Sequence, residues 1–324
     1  MAAYDKKEER LNIINISGGK DSAAVLLLAR ERIADKEPMR AVFCDTGHEH
    51  PLTYEFVDYL SESVFPIEKI SADLTHELAT RIKNLEEGGS TRKKWMDEGI
   101  AEARVEEVLN NLKNYDLSGN AFLDLAVIRG RFPSVKGKFC TQVLKVFAIQ
   151  DQVLRPALEK YEEVVSWIGE RAEESADRAA KPVWEEQEGD LEGSVLYRPI
   201  LDWKWNDVFE MHAKHGVTPN PLYTMGMSRV GCMPCIMNKK SGLEQIFKRW
   251  PSVLDNLQDM EEKVRSTSKK GLATFFATDT TPGDGLATAA DVEEWSKTSR
   301  GGNQRSMRST RPPLKCDSVY GLCE

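Results

Sequence analysis

No stretch of this 324-residue chain is apolar for the length of a membrane span, and its start, Met1-Ala2-Ala3-Tyr4-Asp5-Lys6-Lys7, lacks a signal-peptide core. Both absences lead us to expect a cytoplasmic protein with no membrane contact. Cysteine is scarce, with six residues, and without a secretion signal these favour reactive thiols or a metal centre over a disulfide framework. An excess of positive charge is also missing. The formal net charge of −8 excludes a surface that is basic everywhere, but not a local basic patch. No internal repeat is present, and the glycine loop is not a Walker A loop: at the pair Gly19-Lys20, Ile14 stands where that motif needs glycine and Asp21 where it needs Ser or Thr. What remains, 40% hydrophobic and 30% charged residues, describes a globular protein with one large domain or two smaller ones.

The most informative segment present is Ser17-Gly18-Gly19-Lys20-Asp21-Ser22. It follows the β-branched run Leu11-Asn12-Ile13-Ile14-Asn15-Ile16 and precedes the helix-forming Ala23-Ala24-Val25-Leu26-Leu27-Leu28-Ala29. Paired glycines let backbone approach a ligand closely. The helix aims its N–H groups and positive dipole end at the turn, and Lys20, Ser17 and Ser22 add donors. The segment reads as a phosphate cradle.

Further strands are expected at Arg40–Cys44, Pro66–Ile70 and Val164–Ile168, with a helix over Leu52–Ser63. This alternation predicts an α/β fold, a mostly parallel sheet with helices on both faces. Ligands of such sheets bind at the carboxyl ends of strands, where both the glycine loop and Asp45-Thr46-Gly47 fall. Residues 86–119 are polar and read as an insertion, helical around Ala103–Leu112. We place a nucleotide-binding domain at 1–205 and a helical or irregular C-terminal region at 206–324.

Four other groups carry chemistry. Asp45-Thr46-Gly47-His48-Glu49-His50 offers a carboxylate for a metal ion or hydroxyl, while His48 and His50 alternate in direction and are not expected to form a metal pair. Cys140 lies near a helix start, with Lys145 about one turn on, and both features are expected to lower the thiol pKa. Gly169-Glu170-Arg171 and Arg178 follow a strand, where guanidinium groups suit phosphate oxygens. Gly231-Cys232-Met233-Pro234-Cys235 and the later pair Cys316 and Cys323 offer thiolates for zinc or an iron–sulfur cluster, with Cys140 as an alternative ligand. A disulfide between Cys316 and Cys323 is a third reading, and inert or solvated side chains are the plain alternative for each group. Arg300, Arg305, Arg308, Arg311 and Lys315 punctuate a Gly/Ser/Thr-rich tail that would either track nucleic-acid phosphates or remain solvated.

These motifs, in this order and joined by Pro199–Trp203, Asp207–Phe209 and Asn220–Tyr223, resemble the phosphoadenosine phosphosulfate reductase superfamily of PP-loop adenine-nucleotide enzymes over roughly residues 11 to 265. The Cys316–Cys323 ending is similar to those of phage and bacterial members. The resemblance implies an adenine nucleotide α-hydrolase-like fold. It implies a nucleotide, ATP or an adenylyl sulfate, at Ser17, Gly18, Gly19, Lys20, Asp21, Ser22, Asp45, Thr46, Gly47, Gly169, Arg171 and Arg178.

The superfamily divides into enzymes that split ATP to AMP and pyrophosphate and reductases that release sulfite from adenylyl sulfates. The intact loop resembles the first branch. Lys20, Asp21, Cys140, Lys145 and Arg171 would then be catalytic, with Mg2+ held by Asp21 or Asp45. Cluster-bearing reductases usually show adjacent cysteines where this chain has Cys140-Thr141, so a [4Fe-4S] cluster would need Cys316 or Cys323 beside Cys232 and Cys235, with zinc as the alternative. Implied partners are a sulfur donor, either a cysteine desulfurase or a thioredoxin-like protein, and the reading admits a homodimer. A nucleotide- or nucleic-acid-binding subunit without turnover is a third reading.

Overall fold

Nine residues, Glu8–Ile16, open the structure as strand β1, and their alternation sets the architecture. Ile14 and Ile16 pack on one face of the sheet, Leu11 and Ile13 on the other, as expected of a strand buried on both sides. The structure is a computed structural model and describes residues 8–33, 36–276 and 287–298.

Helix α1 (Lys20–Ile33) crosses to β2 (Met39–Asp45), and α2 (Pro51–Ser63) crosses to β3 (Ile67–Ser71). Three helices then follow, α3 (Thr75–Leu85), α4 (Ser90–Asp97) and α5 (Glu102–Lys113), and then α6 (Ala121–Arg129). Residues 139–158 form a continuous helical segment, α7 (Phe139–Thr141) and α8 (Arg155–Leu158) at its ends and π-type turns between. It delivers β4 (Tyr161–Trp167), which returns to the far side of β1. After α9 (Ala176–Ala179) come β5 (Trp184–Glu186) and β6 (Ser194–Tyr197), then α10 (Trp205–Lys214), α11 (Lys240–Arg249), α12 (Ser252–Thr267) and α13 (Ala289–Ser296).

The sheet runs β3-β2-β1-β4-β6-β5, parallel except for the β5–β6 edge. Successive crossovers run outward from β1 to β3, then the chain reverses to β4, so β1 and β4 part at a topological switch point. Asn15 pins that junction, its Nδ2 donating to Ser166 Oγ at 2.8 Å and to the Trp167 carbonyl at 3.0 Å. Helices α1, α2 and α10 cover one face through Leu26, Val57 and Val208, and the 139–158 segment covers the other through Val153, Leu154 and Ala157. The expected α/β sheet, with helices on both faces, is what forms.

The polar stretch 86–119 folds as α4 and α5. On α5, Val105, Val108, Leu109 and Leu112 fall at helical spacing and turn one apolar stripe inward. That stripe joins α6, α12, α13 and Phe275 in one apolar cluster, so a helical layer stands beside the sheet. Helix α6 links the two: its second residue, Phe122, donates its N–H to the Thr46 carbonyl beyond β2 at 2.8 Å. The antiparallel β5–β6 edge was not expected, because strands of three and four residues are too short to show an alternation. Among the described residues no helix is long and apolar enough to cross a membrane.

Candidate active site

The loop after β1 leaves little room for any residue but glycine. Gly18 has φ of 73°, and a Cβ there would meet Thr53 Cγ2 at 2.4 Å. Three residues from beyond the sheet hold the loop: Asn220 Nδ2 donates to the Gly18 carbonyl at 3.0 Å, the Lys20 N–H donates to Tyr223 Oη at 3.0 Å, and His212 Nε2 donates to the Lys20 carbonyl at 2.9 Å. Since a carbonyl only accepts, Nε2 carries the His212 proton, and burial holds that imidazole below its ordinary pKa. Ser22 Oγ accepts the Ser17 N–H at 3.1 Å and donates to the Gly19 carbonyl at 3.0 Å, closing the turn on itself.

Two cations converge at the mouth of α1. Lys20 Nζ lies 2.8 Å from Asp21 Oδ2, and Arg171 Nε lies 2.5 Å from Asp21 Oδ1. Lys20 and Arg171 are each 3% exposed, so their charges face one another across a single carboxylate in a site largely shut to water. Burial pulls the Arg171 guanidinium down, but Asp21 and Glu173 more than offset it, and the pKa stands above the ordinary arginine value. Arg171 reaches Asp21 across the switch point because Gly169 lets the β4 loop approach: a Cβ there would lie 3.0 Å from Asp21 C and Ser22 N. Arg178 pairs instead with Glu174 and, at 3.9 Å, with Glu170.

The turn after β2 is equally tied down. Asp45 Oδ1 accepts from the Gly47 N–H at 2.8 Å and from Tyr54 Oη at 2.6 Å, while its second oxygen makes no hydrogen bond among the described residues. Thr46 Oγ1 donates to Glu49 at 2.8 Å, and Asn120 Nδ2 donates to the Gly47 carbonyl at 2.7 Å. The turn also grips the cysteine knuckle. Met233 N–H donates to the His48 carbonyl at 2.8 Å, and His48 Nε2 donates to the Pro234 carbonyl at 3.1 Å. The His48 ring stacks on Phe122 at 4.5 Å and is pushed down to about 4 by burial, so His48 packs rather than ligates.

This contact brings the thiols together. Cys232 Sγ lies 3.7 Å from both Glu49 Oε1 and Thr46 Oγ1, Lys145 Nζ lies 4.0 Å from Glu49 Oε1, and Cys44 Sγ lies 3.8 Å from the Lys145 carbonyl. Burial pushes Cys232 up to about 12 and Cys44 up to about 11. Cys140 is raised as well, by burial and then by the neighbouring Cys235, which corrects the expectation of a thiol activated by its helix start and Lys145. Desolvation outweighs a helix of three residues and a single cation. Lys145 is drawn down by its own burial, but Cys232, Glu49, Cys44 and Cys235 around it hold it above the ordinary lysine value.

The structure therefore gathers Ser17–Ser22, Gly169 and Arg171 at one point, and Asp45–Gly47, Cys140, Lys145, Cys232 and Cys235 around the neighbouring turn. Among the described residues no group of three or more His, Cys, Asp or Glu side chains is arranged to hold a metal ion. Cys316, Cys323 and the basic residues Arg300, Arg305, Arg308, Arg311 and Lys315 lie outside the described residues. Sequence reasoning gave Tyr54 only an apolar contact and Cys44 only a place in a strand, and assigned no role to His212. His212 follows Val208 and Met211 on the buried face of α10 and reads as core. Asn220 and Tyr223 were part of a recognised motif, but only the fold shows that they brace the loop.

A family model described as a phosphoadenosine phosphosulfate reductase domain matches residues 12–238. A 37.8 kDa uncharacterised protein of Escherichia phage 186 is 41% identical over 338 residues, covering 98% of each chain. An uncharacterised protein of Methanocaldococcus jannaschii is 26% identical over 77% of this chain and 49% of its own length. An adenosine 5'-phosphosulfate reductase of Streptomyces coelicolor is 39% identical over 84 residues, 25% of this chain and 34% of its own. This chain thus spans about half of the archaeal relative and about a third of the actinomycete one. With a family match across most of the sheet and both loops, the chain belongs to the phosphoadenosine phosphosulfate reductase family.

Proposed function

We propose that the chain binds ATP and cleaves it between the α and β phosphates, releasing pyrophosphate and passing the adenylate to an acceptor that then takes up sulfur. The observation that carries this reading is the arrangement of Lys20 and Arg171, two buried cations that share Asp21 at the start of α1. An arriving triphosphate tail offers them more negative charge than the carboxylates of Asp21 and Glu173 together, and the helix N-terminus adds its dipole. As the acceptor attacks the α phosphorus and the bond to the bridging oxygen breaks, charge grows on the leaving pyrophosphate. Lys20 and the loop are fixed by Asn220, Tyr223 and His212 where that charge develops, so little reorganisation is needed.

Mg2+ fits this donor set. The second oxygen of Asp45 is a hard ligand, and magnesium commonly binds through one or two carboxylates plus substrate phosphates. When bound, it would neutralise phosphate charge. A [4Fe-4S] cluster or zinc does not fit the described residues as arranged, because Cys140, Cys232 and Cys235 do not close into a metal-holding group.

A thiol-dependent reduction of adenylyl sulfate is the second reading, favoured by the gathering of Cys140, Cys232 and Cys235 around Lys145. It requires sulfite release with a thioredoxin-like donor, lost on Cys323→Ser. The first reading is tested with ATP labelled at the α phosphorus and stoichiometric enzyme. Once an acceptor for the adenylate is present, label should appear in AMP with matching pyrophosphate, and Lys20→Ala should abolish it; cleavage to ADP would remove the proposal.

A further inference from the structure

Glu49 carries a buried carboxylate, its side chain 1% exposed, whose two oxygens face different parts of the molecule. Oε2 holds the turn after β2: it accepts the Thr46 N–H at 3.2 Å, the His48 N–H at 3.3 Å and the Tyr54 hydroxyl at 3.3 Å. Oε1 faces the thiols. Cys232 Sγ donates to it at 3.7 Å, and Lys145 Nζ lies 4.0 Å away. Thr46 Oγ1 stands between the two, 2.8 Å from each oxygen. Glu49 and Cys232 also form an antiparallel backbone bridge, so main chain as well as side chain holds the thiol against the carboxylate.

Other buried carboxylates of the protein serve the loops that fold around them. Asp124 accepts from the Tyr115 and Ser118 hydroxyls at 2.6 Å, and Glu261 from the Phe275 and Ala289 N–H groups at 2.8 and 3.1 Å. Glu49 does the same through Oε2, but on Oε1 it meets an ammonium and a thiol, groups that carry chemistry. Tyr54 links this carboxylate to Asp45. Its hydroxyl lies 2.6 Å from Asp45 Oδ1 and 3.3 Å from Glu49 Oε2, and it has one proton to share between them. A ligand that engages Asp45 therefore alters how firmly Glu49 is held.

We propose that Glu49 is a positioning residue that ties the Cys232 thiol and the Lys145 ammonium to the nucleotide turn, so that a ligand at the turn changes the reactivity of Cys232. The identity of that ligand as ATP rests on the function proposed above; the tie itself does not. For a reagent to reach Cys232 Sγ, the thiol must leave Oε1 and the knuckle must part from the turn. A ligand that fixes the turn opposes that opening.

Glu49→Gln separates the work of the two oxygens. Oε2 is surrounded by donors, so the amide oxygen takes its place and the NH2 turns toward Cys232 and Lys145, where it accepts nothing. The turn keeps its bonds while the thiol is released. The assay is iodoacetamide labelling of the reduced full chain, with Cys232 and Cys235 quantified separately by peptide mass spectrometry. Cys235 lies in the same knuckle and reports any loosening of the knuckle as a whole. Without ligand, Glu49→Gln should label Cys232 about tenfold faster than the parent, relative to Cys235, as expected for loss of a hydrogen bond to a charged group. ATP that saturates the parent in calorimetry should slow Cys232 labelling about fivefold or more in the parent and much less in Glu49→Gln. Tyr54→Phe, which leaves Oε1 untouched, should label like the parent without ligand and lose most of the ATP effect. An unchanged Cys232-to-Cys235 ratio in Glu49→Gln, or equal acceleration of both thiols, overturns the proposal. So does ATP that binds the parent without slowing Cys232, or that slows all three proteins equally. If calorimetry shows no ATP binding to the parent, the function proposed above fails, and the ligand-free ratio alone decides the role of Glu49.

Discussion

Replacing Asp21 by Asn keeps the side chain's shape but removes the charge that Lys20 and Arg171 share. Lys20 and Arg171 are each 3% exposed, and Asp21 lies 2.8 and 2.5 Å from them, so the variant leaves two buried cations facing a neutral amide. Breaking a buried pair in this way costs about 3–5 kcal/mol. Because Asp21 retains 16% side-chain exposure and Arg171 keeps Glu173, we expect the low end, about 3 kcal/mol. With an unfolding entropy proportional to 324 residues, this lowers Tm by about 4 °C. If the site is a phosphate cradle, metal-free pyrophosphate should return most of that loss. A ligand at 100 times its Kd supplies about 2.7 kcal/mol. In the parent protein the same ligand must displace Asp21, so its Tm gain should be smaller. Differential scanning fluorimetry of both proteins across a pyrophosphate series is the assay. An equal or smaller gain in Asp21→Asn than in the parent refutes the reasoning.

Tyr223→Phe removes the acceptor of the Lys20 N–H and should cost about 1–3 kcal/mol in denaturant unfolding, with the Phe ring keeping the packing. Gly169→Ala forces the backbone of Asp21 and Ser22 away from the β4 loop, so ATP affinity should fall several-fold by calorimetry while the fold persists by circular dichroism. His48 has its pKa lowered from 6.5 to about 4, so it favours the folded state above pH 6.5 and that contribution is lost as pH falls toward 4. The loss should be at most about 3 kcal/mol in melts across this range, and His48→Asn should flatten it.

The sheet was legible because β1, β2 and β4 are buried on both faces and carry continuous β-branched or aromatic runs, while glycine marks the switch-point loop. The loop's geometry was legible for the same reason, since the glycine that needs a positive φ and the lysine that opens α1 fall within six consecutive residues. Its bracing was not. Asn220, Tyr223 and His212 lie about 200 residues away, and no local pattern separates a buried His on an apolar stripe from one bonded to a distant carbonyl. The Cys140 expectation failed because a helix start and a cation are visible in sequence, whereas the burial that outweighs them is a property of the fold. The stretch 86–119 looked like an interruption because its surface is polar. Only the stripe Val105, Val108, Leu109, Leu112 shows that it builds a layer of the core.

The central claim is that this member of the family cleaves ATP rather than reducing an adenylyl sulfate. Stoichiometric enzyme offered ATP labelled at the α phosphorus together with sulfur-labelled adenylyl sulfate, Mg2+ and a dithiol donor tests it in a single reaction. With an acceptor for the adenylate also present, we predict labelled AMP with equimolar pyrophosphate, no labelled sulfite, and loss of both products in Lys20→Ala. Labelled sulfite with the ATP intact would contradict the account.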